Sequence, residues 1–91
     1  MSTYLDLLPI GTVVLLQGAR KKLMITGIKP VNSKEPERVY DYIGVSYPEG
    51  YLSSEYQFLF DHKDIDDVIF TGYQSPERER FLSYLEKEGQ E

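Results

Sequence analysis

The sequence predicts a mainly β protein with a C-terminal helix: a small SH3-like, strongly bent five-stranded antiparallel half-barrel. An open sheet with the helix across one face is the second choice. Three observations carry the prediction. Short runs rich in β-branched and aromatic residues recur along the chain, several alternating with period two, as strands do. Turn residues separate them, among them Gly18, the Pro48-Glu49-Gly50 triplet and Gly72. Only the last segment has the spacing of an amphipathic helix. At 91 residues the chain is one domain, since domains commonly run from about 50 to 250 residues. Within it, residues 1–10 form a lead-in, 11–73 the β core and 75–88 the C-terminal helix.

The lead-in, Ser2 to Leu8, is short and mixed, and is expected to pack Tyr4, Leu5 and Leu8 against the body before Pro9 and Gly11 punctuate the chain. "GTVVLLQG", Gly11 to Gly18, reads as the first strand. Val13 and Leu15 point one way; Thr12, Val14 and Leu16 point the other. Both faces are apolar, so this strand is covered on both sides or strongly curved. A charged turn leads into "KLMITGIK", Lys22 to Lys29, joined to the first strand as an antiparallel hairpin, with a bulge or tight bend at Gly27. "PVNSKEPER", Pro30 to Arg38, is polar, holds two prolines and lacks periodicity, so it reads as a loop.

"VYDYIGVSY" alternates again. Ile43, Val45 and Tyr47 define the side assigned to the core, which leaves Tyr40 and Tyr42 on the outer face. Pro48-Glu49-Gly50 is a turn in which Gly can take positive φ. "EYQFLF" and "DVIFTGY", Glu55–Phe60 and Asp67–Tyr73, are the last two strands, with an acidic turn or single helical turn between them. Ser75 is placed to cap the helix, Pro76 suits its first position, and Phe81, Leu82 and Leu85 form its apolar stripe.

The formal net charge of -5 and a pI of about 4.8 disfavour nucleic acid and anionic membrane as partners, because both demand clustered Lys and Arg. Arg20-Lys21-Lys22 is the one basic cluster, and its place at a turn reads as a solvated hairpin tip. With no cysteine, disulfides, thiolate chemistry and Cys-based zinc sites are excluded. No apolar run reaches the ~18 residues that span a bilayer. The N-terminus lacks the basic and small-residue features of a signal peptide. A cytoplasmic protein is expected.

His62 is the sole histidine and lies in "DHKDIDD" with Asp61, Asp64, Asp66 and Asp67. Such a group can be a metal site or a His–Asp acid/base pair. It fits no EF-hand loop, lacking the Gly and the distal Glu, and adjacent carboxylates repel unless neutralised. The preferred reading is a solvated acidic turn in which one Asp caps a helical turn. No Ser lies in a G-x-S-x-G turn, and the glycines form neither G-x-G-x-x-G nor a P-loop. No catalytic residue, cofactor or metal site is therefore assigned.

Eight tyrosines remain for which no chemistry accounts. Tyrosine combines a large apolar ring with a polar tip, and interfaces are enriched in it. Tyr40, Tyr42, Tyr47, Tyr51 and Tyr56 are the candidate partner-binding residues, with core packing or helix docking as the alternative for Tyr40 and Tyr42. Tyr47, Tyr51 and Tyr56 flank the Pro48-Glu49-Gly50 turn as one exposed aromatic patch.

"LPIGTVVLLQG", "KLMITG", "YDYIGVSYPEGY" and "FDHKDIDDVIFTGY", in this order over residues 8 to 73, resemble a family of small uncharacterised proteins of Gram-positive bacteria. Members of that family are often encoded beside type VII secretion genes, including LXG-type toxins and their small helical partners. The resemblance implies a non-enzymatic, chaperone-like adaptor whose partner is a protein, an LXG-type toxin among the candidates. It brings no catalytic residue with it. Such an accessory is expected to present the Tyr47–Tyr56 turn or an exposed strand edge to its partner, and its acidic surface suits a basic one. Two alternatives stand beside it: an immunity protein that binds and neutralises a toxin, and a small metal-dependent enzyme built on His62 and its aspartates.

Overall fold

A computed structural model of the protein describes residues 7–29, 31–32 and 35–89. The strands are β1 (Val13–Leu16), β2 (Leu23–Ile28), β3 (Val31–Asn32), β4 (Glu35–Val39), β5 (Tyr42–Ser46), β6 (Gln57–Phe60) and β7 (Ile65–Phe70); one helix, α1 (Pro76–Gly89), follows. Five strands make one sheet in the order β6-β5-β2-β1-β7, every neighbouring pair antiparallel. The last strand thus returns to lie beside the first.

The mainly β class, the five antiparallel strands and the terminal helix are as the sequence predicts. In place of the expected strongly bent half-barrel, the five strands form one open sheet. Among the described residues β6 and β7 are both edges and no pairing joins them, and the sheet is open and uncurled. An amphipathic helix that covers one face lets a sheet bury that face without closing on itself.

Residues of the expected loop Pro30 to Arg38 contribute to a second structure: β3 and β4 pair as a separate antiparallel ribbon. Main-chain pairing needs no apolar alternation, so a polar segment gives no sign of it. The expected strand over "VYDYIGVSY" accordingly splits, β4 ending at Val39 and β5 starting at Tyr42. Lys29, with φ of 50°, takes the left-handed conformation at the end of β2, and its N–H donates to the Asp41 carbonyl at 2.8 Å. The bulge expected at Gly27 is present as a register shift between β2 and β5.

The core lies between the sheet and α1. Leu7, Val14, Leu23, Ile25, Tyr42, Phe60 and Leu82 form one buried cluster, with Leu8, Leu16, Ile28, Ile65 and Leu85 packed against it. Leu82 and Leu85 dock the helix, whereas Phe81 stays half in solvent. Val13 and Val45 are also buried, on the opposite face from Val14 and Tyr42, so β1 is apolar and covered on both sides, as its composition demands. Of the lead-in, Leu7 and Leu8 join the core, while Tyr4 and Leu5 lie outside the described residues.

Ser75 caps α1 as expected, its hydroxyl accepting the Arg78 N–H at 3.1 Å. Arg78 then reaches back to donate to the Leu7 carbonyl, tying the helix to the start of the described chain. Just before the helix, Gly72 passes so close to residues 10 and 11 that a Cβ there would stand 2.2 Å from the Ile10 carbonyl oxygen. Its N–H donates to the buried Thr12 hydroxyl at 3.0 Å. Among the described residues no helix is long and apolar enough to cross a membrane.

Candidate functional site

Two regions collect the residues that the sequence singles out. The first is a polar bridge. Residues 61–64 carry the chain from edge strand β6 to edge strand β7, with a 3-10 turn at His62–Asp64. Asp64 accepts from the Asp61 N–H at 3.0 Å, the back-reaching half of a capping box. Asp61 accepts from the Asp41 N–H at 3.1 Å, and Asp41 accepts from the His62 N–H at 2.9 Å, so the start of β5 and the bridge hold each other. Lys29 pairs with the other oxygen of the Asp41 carboxylate at 2.7 Å. At the far end, Gln17 donates its N–H to the Asp64 carbonyl at 2.9 Å and its side-chain amide to the Lys63 carbonyl at 3.1 Å.

Tyr42 closes this network from the core side. Its hydroxyl accepts the Leu8 N–H at 2.9 Å and lies 2.7 Å from His62 Nδ1. A buried hydroxyl needs an acceptor for its own proton. Nδ1 is the acceptor at hand in the tautomer that carries the ring proton on Nε2. The ring itself packs on Phe60 at 5.4 Å and beside His62 at 5.9 Å, centroid to centroid. Burial pushes the Tyr42 hydroxyl up to about 12; the Leu8 N–H and Arg78 oppose the rise and the Asp41 charge adds to it. For Asp41, burial also pushes the carboxyl up. The His62 N–H and the Lys29 ammonium outweigh burial and hold it below the ordinary aspartate value.

The acidic motif is therefore a structural strap. Asp41, Asp61, Asp64 and the His62 Nδ1 each bond to neighbouring chain, which is the solvated-turn reading with an internal purpose added. Among the described residues no group of three or more His, Asp or Glu is placed to hold a metal ion.

The second region is the β5–β6 connection. Gly50, with φ of 78°, closes its turn by donating to the Ser46 carbonyl at 2.8 Å. The turn is pinned to the β1–β2 hairpin: the Tyr47 N–H donates to the Lys22 carbonyl at 2.9 Å, and Lys21 meets the Glu49 carboxylate at 2.7 Å. That ion pair is about half exposed, so it positions more than it stabilises. On this frame Tyr47, Tyr51 and Tyr56 are 47%, 66% and 52% exposed, with Leu52 beside them at 59%.

The five candidate tyrosines thus divide. Tyr51 and Tyr56 stand in solvent on one connection, as their place around the turn implies, and Tyr47 stands there with them, which corrects its assignment to the core side of the strand. Tyr42 does not: it is fully buried beneath α1, and the outer-face assignment is corrected. The ring behaves as a core hydrophobe because its hydroxyl finds two partners, and both lie far from it in sequence. Tyr40 is half-buried and engaged with its surroundings. The residue that sequence reasoning missed is Lys29, whose left-handed backbone and ion pair to Asp41 no local motif announces.

Residues 7–81 match the family model described as Domain of unknown function (DUF4176). The chain belongs to this family. No curated protein and no solved structure matches it. The DUF4176 region runs from Leu7, whose carbonyl Arg78 holds, to Phe81 on α1. It therefore takes in the sheet, the polar strap and the tyrosine-bearing turn together. DUF4176 membership brings no activity, partner or organism with it.

Proposed function

We propose that this DUF4176 protein is a non-enzymatic, cytoplasmic protein-binding accessory, an adaptor of chaperone-like kind that assists type VII secretion of LXG-type toxins in Gram-positive bacteria. The observation that carries the protein-binding part is the β5–β6 connection, where three tyrosines and Leu52 stand exposed on a turn fixed to a second hairpin. Rigidly mounted aromatic side chains supply contact area at low entropic cost, and they dominate the hot spots of protein interfaces. The committed hydrogen bonds of His62 and its aspartates support a structural role for the acidic motif over a chemical one. The secretion part rests on the sequence resemblance alone.

Co-expression with an LXG-type toxin encoded at the same locus tests the proposal. A stoichiometric complex is expected, weakened by more than about tenfold in Tyr51→Ala. Absence of any complex with the toxin removes the adaptor role. Binding confined to the toxic C-terminal domain assigns immunity instead, since an adaptor engages the export or central region.

A further inference from the structure

β7 is an edge strand unlike the other edge. β6 is four residues long, pairs with β5 without interruption, and turns Phe60 into the core. β7 has six residues, and Val68, Ile69 and Phe70 are 41%, 46% and 63% exposed. Asp66 and Asp67 on the same strand are exposed too. Among the described residues β7 pairs with β1 alone, so its outward main-chain groups meet no second strand. Two register shifts against β1 leave Ile69 and Asp66 as extra residues. Such bulges interrupt long regular pairing and discourage indiscriminate edge-to-edge association. What remains is a short edge, apolar at one end and doubly negative at the other.

We infer that this edge takes one extended segment of a partner protein as an added antiparallel strand, apolar in its first half and carrying two adjacent basic residues in its second. Antiparallel pairing sets the partner's direction: its N-terminal half lies along Phe70, Ile69 and Val68, and its C-terminal half along Asp67 and Asp66. Cross-strand opposite charges stabilise such a pair, and like charges oppose it. A second copy of this chain fits badly. In the register that overlaps the whole strand, Asp66 faces the partner copy's Ile69 and Asp67 its Val68, so the four carboxylates meet no cationic partner across the pair. The net charge of -5 on each copy adds to the repulsion. The inference rests on the reading that this protein binds another polypeptide, and it names the chemistry of the bound segment.

The probe is a fluorescently labelled, end-blocked peptide, Thr-Val-Ile-Val-Lys-Lys-Ile-Thr, titrated against the full chain by fluorescence anisotropy. Hydrogen exchange reports protection of the β7 amides. Saturable binding is expected, weaker by roughly tenfold when the two lysines are glutamates, and lost when the central valine is proline, which cannot donate to a ladder. The double variant Asp66→Lys/Asp67→Lys should reverse the preference between the Lys and Glu peptides. An unchanged preference in that variant, equal binding of the proline peptide, or concentration-dependent dimerisation of the free chain through β7 overturns the inference. Its failure is separable from that of the proposed function. A toxin complex that forms and is indifferent to Asp66→Lys/Asp67→Lys sinks only the edge; peptide binding without any toxin complex sinks only the toxin assignment.

Discussion

Tyr42 and Tyr51 belong to one tyrosine-rich stretch, "VYDYIGVSYPEGY", yet one is sealed under α1 and the other stands two-thirds in solvent. The polar strap around Tyr42 and the turn around Tyr51 use the same kinds of residue to opposite ends. In the strap the polar groups reach other parts of the chain: Leu8, Lys29, Asp41, Asp61, His62 and Asp64 are joined through one continuous set of bonds by way of Tyr42. In the turn the Tyr47 and Gly50 N–H groups find backbone acceptors while the tyrosine rings stay in solvent. A tyrosine becomes a core residue when its hydroxyl has somewhere to go, and a contact residue when its ring has nothing to lie on.

The contrast predicts a wide spread of mutational effects. Tyr42→Ala removes a fully buried ring and unpairs the Leu8 N–H and His62 Nδ1. A loss of about 3–5 kcal/mol is expected in urea unfolding, and a loss under about 1 kcal/mol would show that the strap does not hold the core. Asp41→Ala removes one partner of Lys29 and the acceptor of the His62 N–H, at about 2–3 kcal/mol near neutral pH. Because the folded-state value of Asp41 is depressed, its contribution is complete above the ordinary value of 3.8 and is lost as pH falls through the lowered folded value. The urea midpoints of wild type and variant should therefore converge only in that acid range. A gap that persists undiminished there would mean that Asp41 acts through packing. Smallest of all, Tyr51→Ala is expected to shift stability by no more than about 0.5 kcal/mol, so that any effect on a complex reads as lost contact. A larger drop in the thermal midpoint would move Tyr51 from the contact class to the structural one.

Much of the architecture is legible in the residues. β1 and β2 announce themselves by β-branched runs between glycines, Gly27 marks its bulge, and Ser75-Pro76 places the start of α1 within a residue. Exposure of Tyr51 and Tyr56 follows from their place around Pro48-Glu49-Gly50, whereas strand alternation puts Tyr47 on the core side and the turn puts it in solvent, where it lies. The face of β5 is not legible. Alternation in "YDYIGV" separates two faces without ranking them, and both Tyr42 and Val45 are buried. Deciding between them takes Leu8 and His62, which reach Tyr42 only through the fold. The β3–β4 ribbon is hidden for a different reason, since its pairing is carried by main chain that every sequence possesses. The acidic motif shows its capping chemistry openly, but its span from one edge of the sheet to the other is a property of strand order, which no short motif encodes.

Strand order also dictates a sequence of events at the ribosome. Among the described residues β7 is synthesised after the other strands of its sheet, and its place is beside β1, which precedes them. Until it emerges, the flank of β1 that it will occupy lies bare, and the nascent sheet ends in Val13–Leu16. Local hairpins form early, whereas pairing between strands far apart in sequence comes late. Completion of the sheet is thus a finishing step, and anything that peels β7 away returns the molecule to that unfinished, adhesive form.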